Sequence, residues 1–398
     1  MLITFTNTIY TVNKTITVNA NSKIKLEIDC WNHLRNVWIN GMNKNCCSYL
    51  RKELEDDLRC IDSHLRVKVD FAMIIRAIDK CFNLSSNYPK GDGDAFRGHL
   101  EEYHSDAMLH AVKTTKGNRQ DILCESAGPM HMNRPFYAEY LDKKLRSIGK
   151  SNILEENMFI ICSSVHMVAL CRVYSIVFLA VILPMRWMAG KSHELGQYGW
   201  SVRSMGRMLD TLEDSLVKVQ EDPSLFTNEE YILGIFNEYR NEINQFDEYL
   251  KYVYENKKHR TVARTEVRFL PYLELKKEVF APSDPSNLET DHLMNDLSKI
   301  VATSILEEIR HPNKATHNHL SSCNGIYSWA NCTEEQKKAG LGIRATNDIA
   351  ESSFGSLTEA ISSNSTIGLT HAGGMAMARQ NGDFNTPIAY ARNKDNSK

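Results

Sequence analysis

The sequence predicts a mainly α protein with a small α/β part, and three observations predict it. Apolar residues recur at three- and four-residue spacing over most of the chain between residues 34 and 361, the period of one buried helix face. Alternation at period two, the strand signature, is confined to residues 2–29. A content of 42% hydrophobic and 24% charged residues suits packed helices and excludes a chain too polar to bury a core. With 398 residues there is room for two or three domains.

The strands come first. Val12, Thr15, Thr17 and Val18 belong to a β-branched region, and Lys23-Ile-Lys-Leu-Glu-Ile28 alternates charged with apolar groups. Asn13-Lys14 and Asn19-Ala-Asn-Ser22 supply turn chemistry. From Cys30 the period changes: Leu34, Val37, Trp38 and Met42 line one helical face, and Leu50, Leu54 and Leu58 continue it. A second amphipathic helix runs from about Asp70 to Phe82. Residues 87–94 read as a loop. Asp92 and Asp94 alternate there as in a calcium loop, but no bidentate glutamate follows at the required spacing, so an ordinary turn is expected. Residues 112–121 read as a polar, basic link.

The most apolar window is Met158 to Trp187. Arg172 and His166 interrupt it, Pro184 breaks it and Arg186 follows, so its uninterrupted part is shorter than the roughly 20 residues a bilayer needs. An arginine at mid-membrane costs about 2.5–3.5 kcal/mol on insertion scales. The expectation is a buried helix at the centre of a helical domain; the alternative is a membrane protein with a span near 160–187. Met205, Met208, Leu209, Leu212, Leu216 and Val219 then mark a helix over 198–220, ended by Asp222-Pro223. Thr227-Asn-Glu-Glu230 restarts a helix running through Ile232, Ile235, Phe236, Tyr239 and Ile243. Leu293, Leu297, Ile300, Val301, Ile305, Leu306 and Ile309 predict another over 288–310, and Thr333-Glu-Glu-Gln336 caps a short one ending at Gly340.

Lys and Arg total 47 against 49 Asp and Glu, so the whole chain makes no electrostatic case for nucleic acid and any contact must be local. One region qualifies. Residues 251–277 hold eight Lys/Arg against three Glu, interleaved with Tyr252, Tyr254, Phe269 and Tyr272, a composition suited to phosphate contact and base stacking. Its candidate DNA-binding residues are Lys257, Lys258, Arg260, Arg264 and Arg268; the bland alternative is a solvated helix–loop face. Ten cysteines without a compact disulfide framework point to reduced thiols in the nucleus or cytoplasm, and the N-terminus carries no secretion signature. His311, His317, His319, Cys323 and Cys332 fit no standard zinc-finger spacing, so polar loop residues are expected.

Near the end, Ile349, Ala350, Phe354, Leu357 and Ile361 recur at helical spacing behind Asn347 or Asp348 as N-cap. Glu351 lies off that apolar face near the positive helix end, where a carboxylate is favoured. The pattern Asn347-Asp348-x-Ala350-Glu351-x-x-Phe354-Gly355 resembles the terminal helix of hAT-like eukaryotic cut-and-paste transposases, and Cys30-Trp31-Asn32-His33 resembles the Cys-x-x-His signature early in the same domains.

The resemblance implies an incomplete RNase H-like domain interrupted by a large helical insertion. Residues 1–40 would be its first segment, 41–340 the insertion, 341–372 its terminal helix and 373–398 a flexible tail. It implies supporting roles for Cys30 and His33, and for Glu351 the last acidic ligand of two Mg2+ or Mn2+ ions. Such ions activate the attacking water or 3′-hydroxyl and stabilise the leaving oxygen. The strands carrying the other two carboxylates are not recognisable, and Asp29 adjoins the Cys-x-x-His signature without being one of them. A catalytically incomplete, DNA-binding chain is therefore expected, with homo-oligomer formation through the insertion. The rival from another class is a non-enzymatic helical scaffold or binding protein.

Overall fold

The computed structural model describes residues 15–19, 22–25, 31–53, 70–82, 92–104, 109–110, 112, 121–148, 153–191, 204–237, 260–262, 265–268, 272–282 and 288–339. The chain divides into two compact units, Met1–Ala345 and Thr346–Lys398, and every described residue belongs to the first. That unit is mainly helical, with short strands only.

Strands β1 (Thr15–Asn19) and β2 (Ser22–Lys25) pair antiparallel, with Asn19 facing Ser22, inside the region that reads as strands. Helix α1 (Trp31–Glu53) buries Leu34, Trp38, Met42, Cys46 and Leu50, one residue per turn. Val37 corrects the expected face: it is 36% exposed, because a one-residue step from Trp38 turns it about 100° away. Gly41 lets α1 come close to α12 (Leu288–Arg310), since a Cβ there would lie 3.0 Å from Glu308 Cγ.

Helix α2 (Phe71–Phe82) starts where Asp70 predicts. The Asp70 Oδ1 accepts from the Ala72 N–H at 2.8 Å and from Asn43 Nδ2 at 2.8 Å, capping α2 and tying it to α1. Helix α3 (Gly93–Tyr103) begins inside the stretch that reads as a loop. Asp92 stands at its start and pairs with Lys144, so this carboxylate serves packing.

Strand β3 (Leu109–His110) precedes α4 (Asp121–Ile148), the longest helix described. Periodicity assigns nothing over 122–157, yet Leu123, Ala127, Met130, Tyr137 and Leu141 form a buried stripe. Small residues and the in-helix prolines Pro129 and Pro135 hide it.

Helix α5 (Ile153–Ser163) leads to α6 (Val165–Val177), a π-helical turn (Phe178–Ile182) and α7 (Leu183–Lys191). Pro184 does not break this run. The wide turn upstream, closed by the Leu183 N–H on the Phe178 carbonyl, carries the helix past it. Val165–Arg186 is long and apolar enough to cross a membrane, but 94% of its most apolar window is buried inside the protein, packed on α4 and α12. It is the central buried helix. Arg172 within it donates from Nε and Nη2 to the Val279 carbonyl at 3.1 and 2.9 Å, and from Nη2 to that of Ala281 at 2.6 Å.

Helix α8 (Ser204–Glu221) buries the predicted Met205, Met208, Leu209, Leu212, Leu216 and Val219. After the single turn α9 (Ser224–Thr227), Asn228 caps α10 (Glu229–Leu233), its side chain accepting from the Tyr231 N–H at 2.9 Å. The expected longer helix is interrupted by a turn over 234–236, in which Ile235 and Phe236 are buried; Asn237 is helical again, and Tyr239 and Ile243 lie outside the described residues. Strands β4 (Arg260–Val262) and β5 (Thr265–Arg268) come next, then α11 (Tyr272–Val279), to whose last carbonyl, Val279, Arg172 donates. The predicted α12 is present over 288–310 with Leu293, Leu297, Val301, Ile305 and Ile309 buried. Thr333 and Gln336 form the predicted capping box of α13 (Glu334–Ala339): the Thr333 N–H donates to Gln336 Oε1 at 2.8 Å and the Gln336 N–H to Thr333 Oγ1 at 3.2 Å.

Candidate functional site

Cys30, Lys257, Lys258, Arg264 and Glu351 lie outside the described residues. His33 belongs to the first turn of α1. Arg260 and Arg268 fall on β4 and β5, so part of the basic segment is extended chain where a helix–loop face was the alternative. In this sheet β5 is central, antiparallel to β4 (Arg260 opposite Val267) and parallel to β3 (Arg268 opposite His110).

The side-chain amide of Asn133 ties the sheet to α4. Asn133 Oδ1 accepts from the His110 N–H at 2.9 Å, and Asn133 Nδ2 donates to the His110 carbonyl at 2.8 Å and meets the Tyr137 hydroxyl at 3.0 Å. Asn133 therefore satisfies both backbone groups of His110 as a neighbouring strand would.

Six residues further along α4, at Glu139, lies a cluster of ligating side chains. His99 and His104 close the C-terminal end of α3, where the His104 N–H bonds the Leu100 carbonyl at 2.8 Å; Glu139 faces them from α4. His104 Nε2 is 2.8 Å from Glu139 Oε2, and His99 Nε2 is 3.7 Å from Oε1. Among the described residues this is the grouping of His, Cys, Asp and Glu compact enough for one metal ion, with ligand atoms all within 4.8 Å. Its walls are aromatic: Phe136 meets the His104 ring edge-on at 5.1 Å, and Tyr140 the His99 ring at 5.5 Å. Lys143 stands beside it, 3.5 Å from Glu139 Oε1 and 3.0 Å above the Tyr103 ring.

The electrostatics favour ligation. Burial, with the Lys143 charge, holds the His99 imidazole below its ordinary range and so neutral. The hydrogen bond from His104 holds the Glu139 carboxyl below its own, so it is ionised. Sequence reasoning misses this trio because the stretch that holds His99 and His104, like the helix that holds Glu139, carries no assignment from periodicity. The five-residue step from His99 to His104 also matches no helical ligand pair.

The other candidates have structural partners. His317 Nδ1 lies 2.9 Å from the Arg310 carbonyl, and His319 and Cys332 are buried. The eight described cysteines are free, and burial pushes the Cys47 and Cys162 thiols up to about 12, far from a reactive thiolate.

No protein-family model, curated protein or solved structure matches the chain.

Proposed function

We propose that this chain is a transposase-derived DNA-binding protein, a catalytically incomplete form of a metal-dependent DNA strand-transfer enzyme. One observation carries the reading. Between Cys30-x-x-His33 and Asn347-Asp348-x-Ala350-Glu351 the described chain is a helical body, as an insertion splitting an RNase H-like domain requires. The β1–β2 hairpin directly before α1 suits the first segment of such a domain.

On this reading Cys30 and His33 support the active site without performing the cleavage themselves. Glu351 is the last acidic ligand for Mg2+ or Mn2+, hard ions that take carboxylate oxygen. Lys257, Lys258, Arg260, Arg264 and Arg268 meet DNA phosphates, Arg260 and Arg268 from strands of the sheet whose third strand, β3, Asn133 holds to α4. Nuclear residence and self-association through the helical body follow from the same reading.

The second reading, a helical scaffold that has lost DNA binding, is favoured by the single identifiable acidic ligand, since two-metal chemistry needs more than one carboxylate. DNA binding measured against salt separates the two: retained, salt-dependent affinity supports the first, and its absence the second.

A further inference from the structure

We propose that His99, His104 and Glu139 bind one divalent transition-metal ion of the zinc class, which clamps the C-terminal end of α3 to α4. This site shares no residue with Glu351 or the basic segment, so it stands whether or not the chain binds DNA.

The donor set carries the first part of the inference. Two imidazole nitrogens and one carboxylate oxygen are a set zinc takes with a fourth position left for water. Tetrahedral bonds of about 2.0–2.1 Å place ligand atoms about 3.3 Å apart. The pair His104 Nε2 and Glu139 Oε2 now stands at 2.8 Å, and His99 Nε2 and Glu139 Oε1 at 3.7 Å. The three ligand atoms, one per residue, lie within 4.8 Å of one another, so reaching that spacing takes changes of up to about 1.5 Å, which side-chain torsions can supply.

The second part is independent of that spacing. His99 is only 7% exposed, and its Nε2 is buried without a hydrogen-bond partner. A buried polar nitrogen left unpaired carries an uncompensated desolvation cost, and native folds rarely keep one without a reason. Nε2 faces Glu139 from beyond hydrogen-bond range, as a ligand atom does when the ion belongs between them.

Lys143 is the competing cation at Glu139 Oε1. Its side chain is 45% exposed on a flexible stem, so it can yield that oxygen while staying over Tyr103. Without metal, the same residues would be an ordinary His–Glu–Lys ion cluster, and the experiment separates these outcomes.

The full chain, freed of metal with a chelator, is titrated with Zn2+ alone by calorimetry and with Co2+ by visible absorption. We expect one zinc per chain, weakened more than tenfold in His99→Ala and in Glu139→Gln and unchanged in Cys323→Ser, with helix content by circular dichroism preserved. Glu139 is half-exposed, so its amide variant keeps the fold and keeps the test valid if His99→Ala does not. The cobalt form should lack a thiolate charge-transfer band. Absence of stoichiometric zinc binding in the wild type would overturn the proposal. So would zinc binding that survives Glu139→Gln, or a cobalt spectrum showing thiolate ligation.

Discussion

The side-chain amide of Asn133 holds both backbone groups of His110, accepting the N–H at 2.9 Å and donating to the carbonyl at 2.8 Å. This contact joins the sheet that bears Arg260 and Arg268 to the longest described helix. Asn133→Ala leaves both groups of a buried residue unsatisfied, at a cost of about 1–3 kcal/mol. Urea denaturation should show that loss. Hydrogen exchange should accelerate over 109–110 and 265–268 first; uniform acceleration across all helices would contradict the anchoring role.

Arg172 makes a second long-range tie, donating to the carbonyls of Val279 and Ala281 at the end of α11. Arg172→Ala should destabilise by roughly 2–3 kcal/mol, the range for losing charged hydrogen bonds to buried acceptors. Arg172→Lys should recover less than half, because an ammonium cannot reproduce the planar fork. Thermal melts of the two variants check this, and full recovery by lysine would argue against the forked contact.

His131 makes stability depend on pH. Burial first, then the charges of Arg134 and Arg172, lower its imidazole from the ordinary 6.5 to about 4. The native state therefore binds fewer protons than the unfolded chain in this interval, so stability rises with pH. The contribution is whole above pH 6.5 and is lost as pH falls through about 4. Urea melts at pH 7 and pH 5 should differ by about 2 kcal/mol less in His131→Gln than in the wild type. An equal pH dependence in both proteins would contradict the assignment.

Helices whose own residues carry the period were legible: α12 through Leu293, Leu297, Val301 and Ile305, α8 through Met205, Leu209, Leu212 and Leu216. So were starts set by local chemistry, at Asp70 and at Thr333 with Gln336. The central helix was legible as buried because Arg172 argued against lipid, although its passage through Pro184 depends on a π-helical turn that composition does not encode. Helix α4 was not legible, since Ala127, Pro129 and Pro135 dilute the apolar stripe that Leu123, Met130 and Leu141 complete. Strands of three and four residues, as in β4 and β5, are too short to show alternation, and their pairing with β3 is set by tertiary contacts. The His99–His104–Glu139 cluster depends on packing α3 against α4, a contact that no local spacing announces.

The most direct test of the proposed function is the affinity of the full chain for duplex DNA as salt is varied, in the wild type and with Lys257, Lys258, Arg260 and Arg264 replaced by alanine. The expected result is binding that weakens steeply with salt. Its log–log slope should fall by up to about 3–4 in the variant, since each phosphate contact contributes about 0.9. No binding at low salt, or an affinity and slope unchanged by the four substitutions, would contradict the transposase-derived reading and leave the helical scaffold.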